Sequence, residues 1–232
     1  MGFLENNFFY LMLLVLTLSY PLLQSFEGRL KYYTKWRVLF KAIFLMMCLF
    51  IPWDIYFTAK EVWGFNPNFI IDVKFLYLPI EEWLFFIIVP YACVFIYEVL
   101  NYFFPVNNDY NFINKLLFIK SLLLLFIAFI FYDKLYTSLC FSLASFFIYF
   151  LYTLNSKTLF KIYRAYIISL IPFIIINGFL TGSFNSEPVV WYNDLHNLGV
   201  RILNIPIEDF IYNFLLISMT LFFYVKGQLA SN

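Results

Sequence analysis

Leu78-Pro79-Ile80-Glu81-Glu82-Trp83-Leu84-Phe85-Phe86 and Ile205-Pro206-Ile207-Glu208-Asp209-Phe210-Ile211-Tyr212-Asn213 are two versions of one phrase, 127 residues apart. Each places a proline, then two adjacent acids, at the head of a long apolar run. The likeness extends upstream. Val62-Trp63-Gly64-Phe65-Asn66 stands beside Val190-Trp191-Tyr192-Asn193, and Asp54-Ile55-Tyr56-Phe57-Thr58 beside Asn177-Gly178-Phe179-Leu180-Thr181. The chain is therefore an internal repeat. Each half has an apolar segment closed by a polar residue and Thr, a Trp-Asn loop, and a segment opened by Pro-Ile-Glu-acid.

The composition says where such a repeat resides. Of 232 residues 63% are hydrophobic and 25% aromatic, while only 12% are charged, about half the charged share of a soluble domain. A water-soluble globule cannot hide that much apolar surface. The runs are continuous rather than alternating, which predicts spanning helices and not a barrel. The expected fold is an all-α integral membrane protein with seven spans: Phe8–Leu23, Val38–Phe57, Pro79–Phe103, Leu116–Phe131, Tyr136–Leu154, Ile162–Leu180 and Pro206–Val225. Phe8–Leu23 reads as a retained span, since no basic region or small-residue cleavage site accompanies it.

Counting spans fixes the organisation. Residues 1–104 form one three-helix unit, 105–135 a connecting span, and 136–232 the second unit. A three-span unit copied directly arrives inverted, and one extra span restores its orientation. The repeats are therefore parallel, with an axis along the membrane normal and both acid pairs at the same end. Eleven Lys and Arg residues flank the opposite end, against Lys60, Lys74, Lys134 and Arg201 at the acid-bearing one. The positive-inside rule then puts the N-terminus outside and the C-terminus in the cytoplasm, in an expected bacterial inner membrane.

Other classes are excluded. A net charge of +1 without a basic region gives nucleic acid no footprint. No glycine-rich nucleotide loop is present. Cys48, Cys93 and Cys140 lie in apolar runs without metal or disulfide spacing. His196 has no companion ligands and reads as a loop residue, so no metal is expected.

The chemistry lies in the acids. An intramembrane carboxylate costs about 2.5–3.5 kcal/mol on insertion scales. Proline and acids also suit a helix N-terminus by backbone geometry and dipole, so the phrase has a structural reading at the membrane surface. Apolar residues on both sides favour a deeper, functional placement for Glu81, Glu82, Glu208 and Asp209. Adjacent helical residues point about 100° apart, so one acid of each pair faces a given atom. Glu81 and Glu208 share residue type and repeat position and are expected to face a cavity, with Glu82 and Asp209 as their partners. Asp54 and Asn177 should lie at similar depth, either orienting an acid or marking a helix end. Glu98 reads as a helix-end residue. Trp83, Phe86, Tyr91, Phe210 and Tyr212 are expected to line a dry pocket, where a protonated carboxyl is a proton donor.

Pro79-Ile80-Glu81-Glu82-Trp83-Leu84-Phe85-Phe86, with Pro90-Tyr91-Ala92-Cys93 and Tyr97-Glu98 after it, resembles the lycopene cyclase domain family, as does Pro206-Ile207-Glu208-Asp209-Phe210. The resemblance spans essentially the whole chain as two fused units. It implies an intramolecular lyase or isomerase, of the lycopene beta-cyclase type, acting on lycopene or a related linear carotene drawn from the bilayer lipid. An end group is protonated, the tertiary cation is attacked by a neighbouring double bond, and proton loss leaves a β-ring. The reaction is redox-neutral, and no cofactor is expected. Other carotenoid end-group modifications remain open. So does a small proton-coupled transporter, although few polar residues are available to line a wet path. A membrane prenyltransferase lacks its aspartate-rich motifs here.

Overall fold

In the computed structural model residues 6–106, 111–154 and 156–230 are described. Among these residues seven helices make up the bundle: α1 (Phe9–Gln24), α2 (Trp36–Ala59), α3 (Ile80–Phe103), α4 (Asn111–Ile130), α5 (Leu135–Leu154), α6 (Ser156–Leu180) and α7 (Ile207–Leu229). Six are long and apolar enough to cross a membrane. The exception is α1, whose 16 residues reach about 24 Å at 1.5 Å per residue, short of the ~30 Å hydrocarbon core. The expected boundaries hold to within a few residues, except at α4 and α6. These helices start five and six residues early. In α6 that first stretch carries Lys157 and Lys161, so the helix continues past its apolar part, with its own backbone bonds satisfied.

α1 packs on α3 as α5 packs on α7, and α2 packs on α7 as α6 packs on α3. Each third helix thus contacts the middle helix of the other repeat, and the bundle is interlocked. α4 lies outside this arrangement, against α5 and α6.

Among the described residues six short strands, which hydropathy does not signal, close one end: β1 (Trp63–Phe65), β2 (Lys74–Phe75), β3 (Leu78–Pro79), β4 (Val190–Tyr192), β5 (Arg201–Ile202) and β6 (Ile205–Pro206). Two small hairpins, β2–β3 and β5–β6, lead into α3 and α7. Their backbone matches bond for bond: Ile80 N–H donates to Val73 O at 2.9 Å, and Ile207 N–H to Val200 O at 3.0 Å.

β1 and β4 pair antiparallel across the repeats, Trp63 opposite Tyr192 and Phe65 opposite Val190. Reciprocal bonds flank them, from Asn66 N–H to Val189 O at 2.8 Å and from Asn193 N–H to Val62 O at 2.9 Å. A two-fold axis perpendicular to a strand pair makes that pair antiparallel, which is what parallel repeats around a membrane-normal axis require. Both acid pairs accordingly lie at one end. Gly64 permits the pairing, because a Cβ there would lie 2.3 Å from the Trp191 indole.

Candidate active site

Pro79 and Pro206 adopt extended backbone immediately before α3 and α7, and the acids fill each first turn. The turn sends its two carboxylates in different directions. Glu81 and Glu208 point back to the loops. Glu81 Oε1 accepts from Ile71 N–H at 2.8 Å, and Glu208 Oε1 from Leu198 N–H at 2.8 Å. Ile71 and Leu198 are themselves 127 residues apart, so this is one loop clamp built twice. Thr137 adds a bond to Glu208 at 2.6 Å. The orientation expected from the sequence is therefore reversed. Matching residue type at 81 and 208 reflects this shared bond to the loop, while the second acid of each pair turns inward.

Glu82 and Asp209 face a cavity of about 60 Å³ between the repeats. Asp54 and Asn177 line it too, as do Tyr10, Trp63, Phe85, Tyr136, Phe173, Tyr192, Tyr212 and Asn213. Asp54 and Asn177 are structural equivalents. Three residues beyond each, Phe57 O accepts from Val62 N–H at 3.0 Å and Leu180 O from Val189 N–H at 2.8 Å.

The two inward acids have different surroundings. Asp209 accepts three hydrogen bonds, from Tyr136 Oη at 2.7 Å, Tyr192 Oη at 2.7 Å and Asn177 Nδ2 at 3.0 Å. Three donors suit it to carry negative charge out of water. Burial, with Asp209 beside it, pushes the Tyr192 hydroxyl well above the usual phenol range, so it stays a donor. Glu82 accepts one bond, from Tyr10 Oη at 2.6 Å. Asp54 accepts one, from Trp63 Nε1 at 2.7 Å, and its second oxygen has no partner among the described residues. Glu82 and Asp54 line the same cavity. With one donor apiece, these two acids have fewer hydrogen bonds to hold a negative charge than Asp209 has.

Tyr10 and Tyr136 are the repeat's own pair, each near the start of its unit and each bonded to that unit's inward acid. Tyr136, Trp63, Tyr192 and Tyr212 form a continuous aromatic wall. Ring centroids are 5.1 Å apart for Trp63 and Tyr136, and 6.0 Å for Trp63 and Tyr212. Phe50 and Trp53 each contact Tyr212 at 5.0 Å from behind.

Not every expected pocket residue is at the cavity. Tyr91 lies three turns along α3, where its hydroxyl pairs with Ser25 and its ring packs on Tyr32. Trp83 turns outward, with Nε1 3.3 Å from Phe75 O. Phe86 is fully buried behind the wall, against Phe50. Phe210 packs on Phe173, one layer removed. Helical phase accounts for this: proximity in sequence to an acid puts a residue on a neighbouring face, not on the same one. Conversely, Tyr10, Trp63, Tyr136, Tyr192 and Asn213 are cavity residues that motif reading missed. Trp63, Tyr192 and Asn213 stand inside the repeated stretches, and Tyr recurs at the start of each unit, so recurrence was the available signal. Glu98 is at the other end of the bundle, paired with Lys35 and bonded to Tyr224 Oη at 2.8 Å. Among the described residues no group of His, Cys, Asp and Glu is arranged to hold a metal.

The family profile for lycopene cyclase matches this chain twice, over residues 7–100 and 133–226. The chain belongs to the lycopene cyclase family. The matched blocks correspond to the two interlocked units, and the cavity lies where the family's two domain copies meet. A bifunctional lycopene cyclase/phytoene synthase of Neurospora crassa is 32% identical over 65 residues, covering 26% of this chain and 11% of that protein. The chain thus aligns with a small part of that relative. No solved structure matches.

Proposed function

We propose that the chain is a carotenoid cyclase of the lycopene beta-cyclase type. The observation that carries this reading is the pair of inward carboxylates, one per repeat, facing a single small aromatic-walled cavity. A proton-initiated cyclisation needs three things there: a proton to give, a surface that tolerates a carbocation, and a base. Glu82, with Asp54 beside it, gives the proton to the terminal double bond. The faces of Trp63, Tyr136 and Tyr212 stabilise the tertiary cation where water would quench it. The neighbouring double bond attacks, closing the ring and moving the positive charge. Asp209 takes the proton whose loss leaves the new double bond. One proton enters carbon and one leaves, so the product is an isomer and no electrons are exchanged. Glu81 and Glu208 hold the loops that set the depth of the inward acids.

Residues 1–104 and 136–232 supply the two halves of the site, with 105–135 as the connector. The acid-bearing end faces outward and the C-terminus the cytoplasm, on the support of the Lys and Arg distribution. The test is expression in a lycopene-accumulating host. Lycopene should decline as one- or two-ringed carotenes appear. Persistent lycopene beside folded protein would reject the reading.

A further inference from the structure

A second, larger cavity of about 480 Å³ adjoins the acid pocket and shares Phe85, Phe173, Asn177, Leu180 and Asn213 with it. It lies between α1, α3 and α6 and is almost wholly apolar. It continues past Val89, Ala92 and Ile176 toward Pro172, Ile175 and Tyr20, which are exposed on the bundle's lateral face.

The pseudo-two-fold axis generates an equivalent position between α5, α7 and α2, and larger side chains stand there. Where the open side has Ile176, the other has Trp53; for Asn213 it has Phe86; for Val89, Leu216; for Ala92, Met219; for Ser169, Met46. Trp53, Phe86, Leu216 and Met46 are all buried. The Phe50 ring closes on Trp53 at 5.6 Å and on Tyr212 at 5.0 Å. A symmetric fold has been made one-doored by enlarging side chains on one side.

We propose that the polyene arm of the substrate occupies the α1–α3–α6 groove alone, so that each end group enters through one lateral door and a second ring requires release and re-entry of the molecule in reverse. This rests on the cyclase reading for its occupant. The shared walls argue for it: an end group placed against Glu82 and Asp209 has its long apolar chain continue past Phe85 and Phe173, and the other direction is blocked by Trp53 and Tyr212.

Two measurements on the protein in vesicles containing lycopene test this. The first is carotene retention, read as visible circular dichroism of polyene bound to purified protein. Ala92→Met and Ile176→Trp import the residues that fill the other side, and each should reduce retention at least tenfold while the protein remains monodisperse. Glu82→Gln should retain carotene without converting it. Normal retention in both groove variants would overturn the proposal. The second is a pulse of labelled lycopene followed by an unlabelled chase. Labelled one-ring product should pass into the vesicle pool, and its second ring should be suppressed by the chase. Two-ring product formed in the presence of the chase without dilution of label would overturn the release step. If wild-type protein retained carotene but never cyclised it, the functional reading would fail while the groove stood.

Discussion

Within each acid pair the structure assigns opposite consequences to neighbouring carboxylates. Glu82→Gln removes a group facing the cavity. Loss of a general acid typically lowers a rate by about 10²–10⁴, equivalent to about 3–5 kcal/mol on the barrier at ~1.4 kcal/mol per decade. Glu81→Gln keeps an amide oxygen for Ile71 N–H, now 2.8 Å from Glu81 Oε1. That backbone bond survives in weakened form, and a change of this kind at one hydrogen bond costs roughly 1 kcal/mol of stability. For a chain of this size that is a melting shift of about 2–4 °C. The assay is lycopene consumption in vesicles, normalised to monodisperse protein, alongside a thermal melt. Glu82→Gln should lose activity with an intact melt, and Glu81→Gln should melt a few degrees earlier at near-normal rate. Equal losses of rate in the two variants would refute the inward and outward assignment.

Tyr136→Phe deletes one of the three donors to Asp209; at about 1.5–3 kcal/mol for a bond to a charged group, cyclisation should slow about 10- to 100-fold, as read from initial rates. Gly64→Ala drives the Trp191 side chain off the β1–β4 pair and should lower the melting temperature, whereas Gly28→Ala, with nothing within 4 Å of its added Cβ, should not. Glu98→Gln weakens the cluster with Lys35, Tyr224 and Gln228 at the far end of the bundle; melting should fall while the rate per folded molecule is unchanged.

The repeat, the helical membrane fold and the placement of both acid pairs at one end were legible because they depend on hydropathy and on recurrence at fixed spacing. The strand pair that joins the repeats was not legible. Trp63-Gly64-Phe65 and Val190-Trp191-Tyr192 are too short for a periodic signal, and their partners lie in the other half of the chain. Which acid of each pair turns inward was not legible for a related reason. Identity between Glu81 and Glu208 suggests shared chemistry, yet it accompanies a backbone bond that a two-fold copy of the loop repeats. The inward positions, Glu and Asp, differ because the site between the copies is itself asymmetric, and so do Asp54 and Asn177. Tyr10 and Tyr136 lie on helices far from the motif in sequence, and only packing brings their hydroxyls to Glu82 and Asp209. The one-sided groove was written in the sequence as small residues facing large ones across the repeat. The repeat already sets Asp54 beside Asn177, and with it the register of α2 against α6; only packing shows which of these residues face the groove.

The central claim is that an exchangeable carboxyl proton starts the reaction and that a substrate hydrogen is lost to complete the ring. The direct test is a first-turnover cyclisation by protein equilibrated in D2O, with the product analysed by mass spectrometry. The acid's exchangeable proton is then deuterium and is delivered to carbon, while the hydrogen lost to Asp209 comes from a carbon of the substrate. Each ring formed should add one deuterium to the product. Rings formed without deuterium would contradict the account.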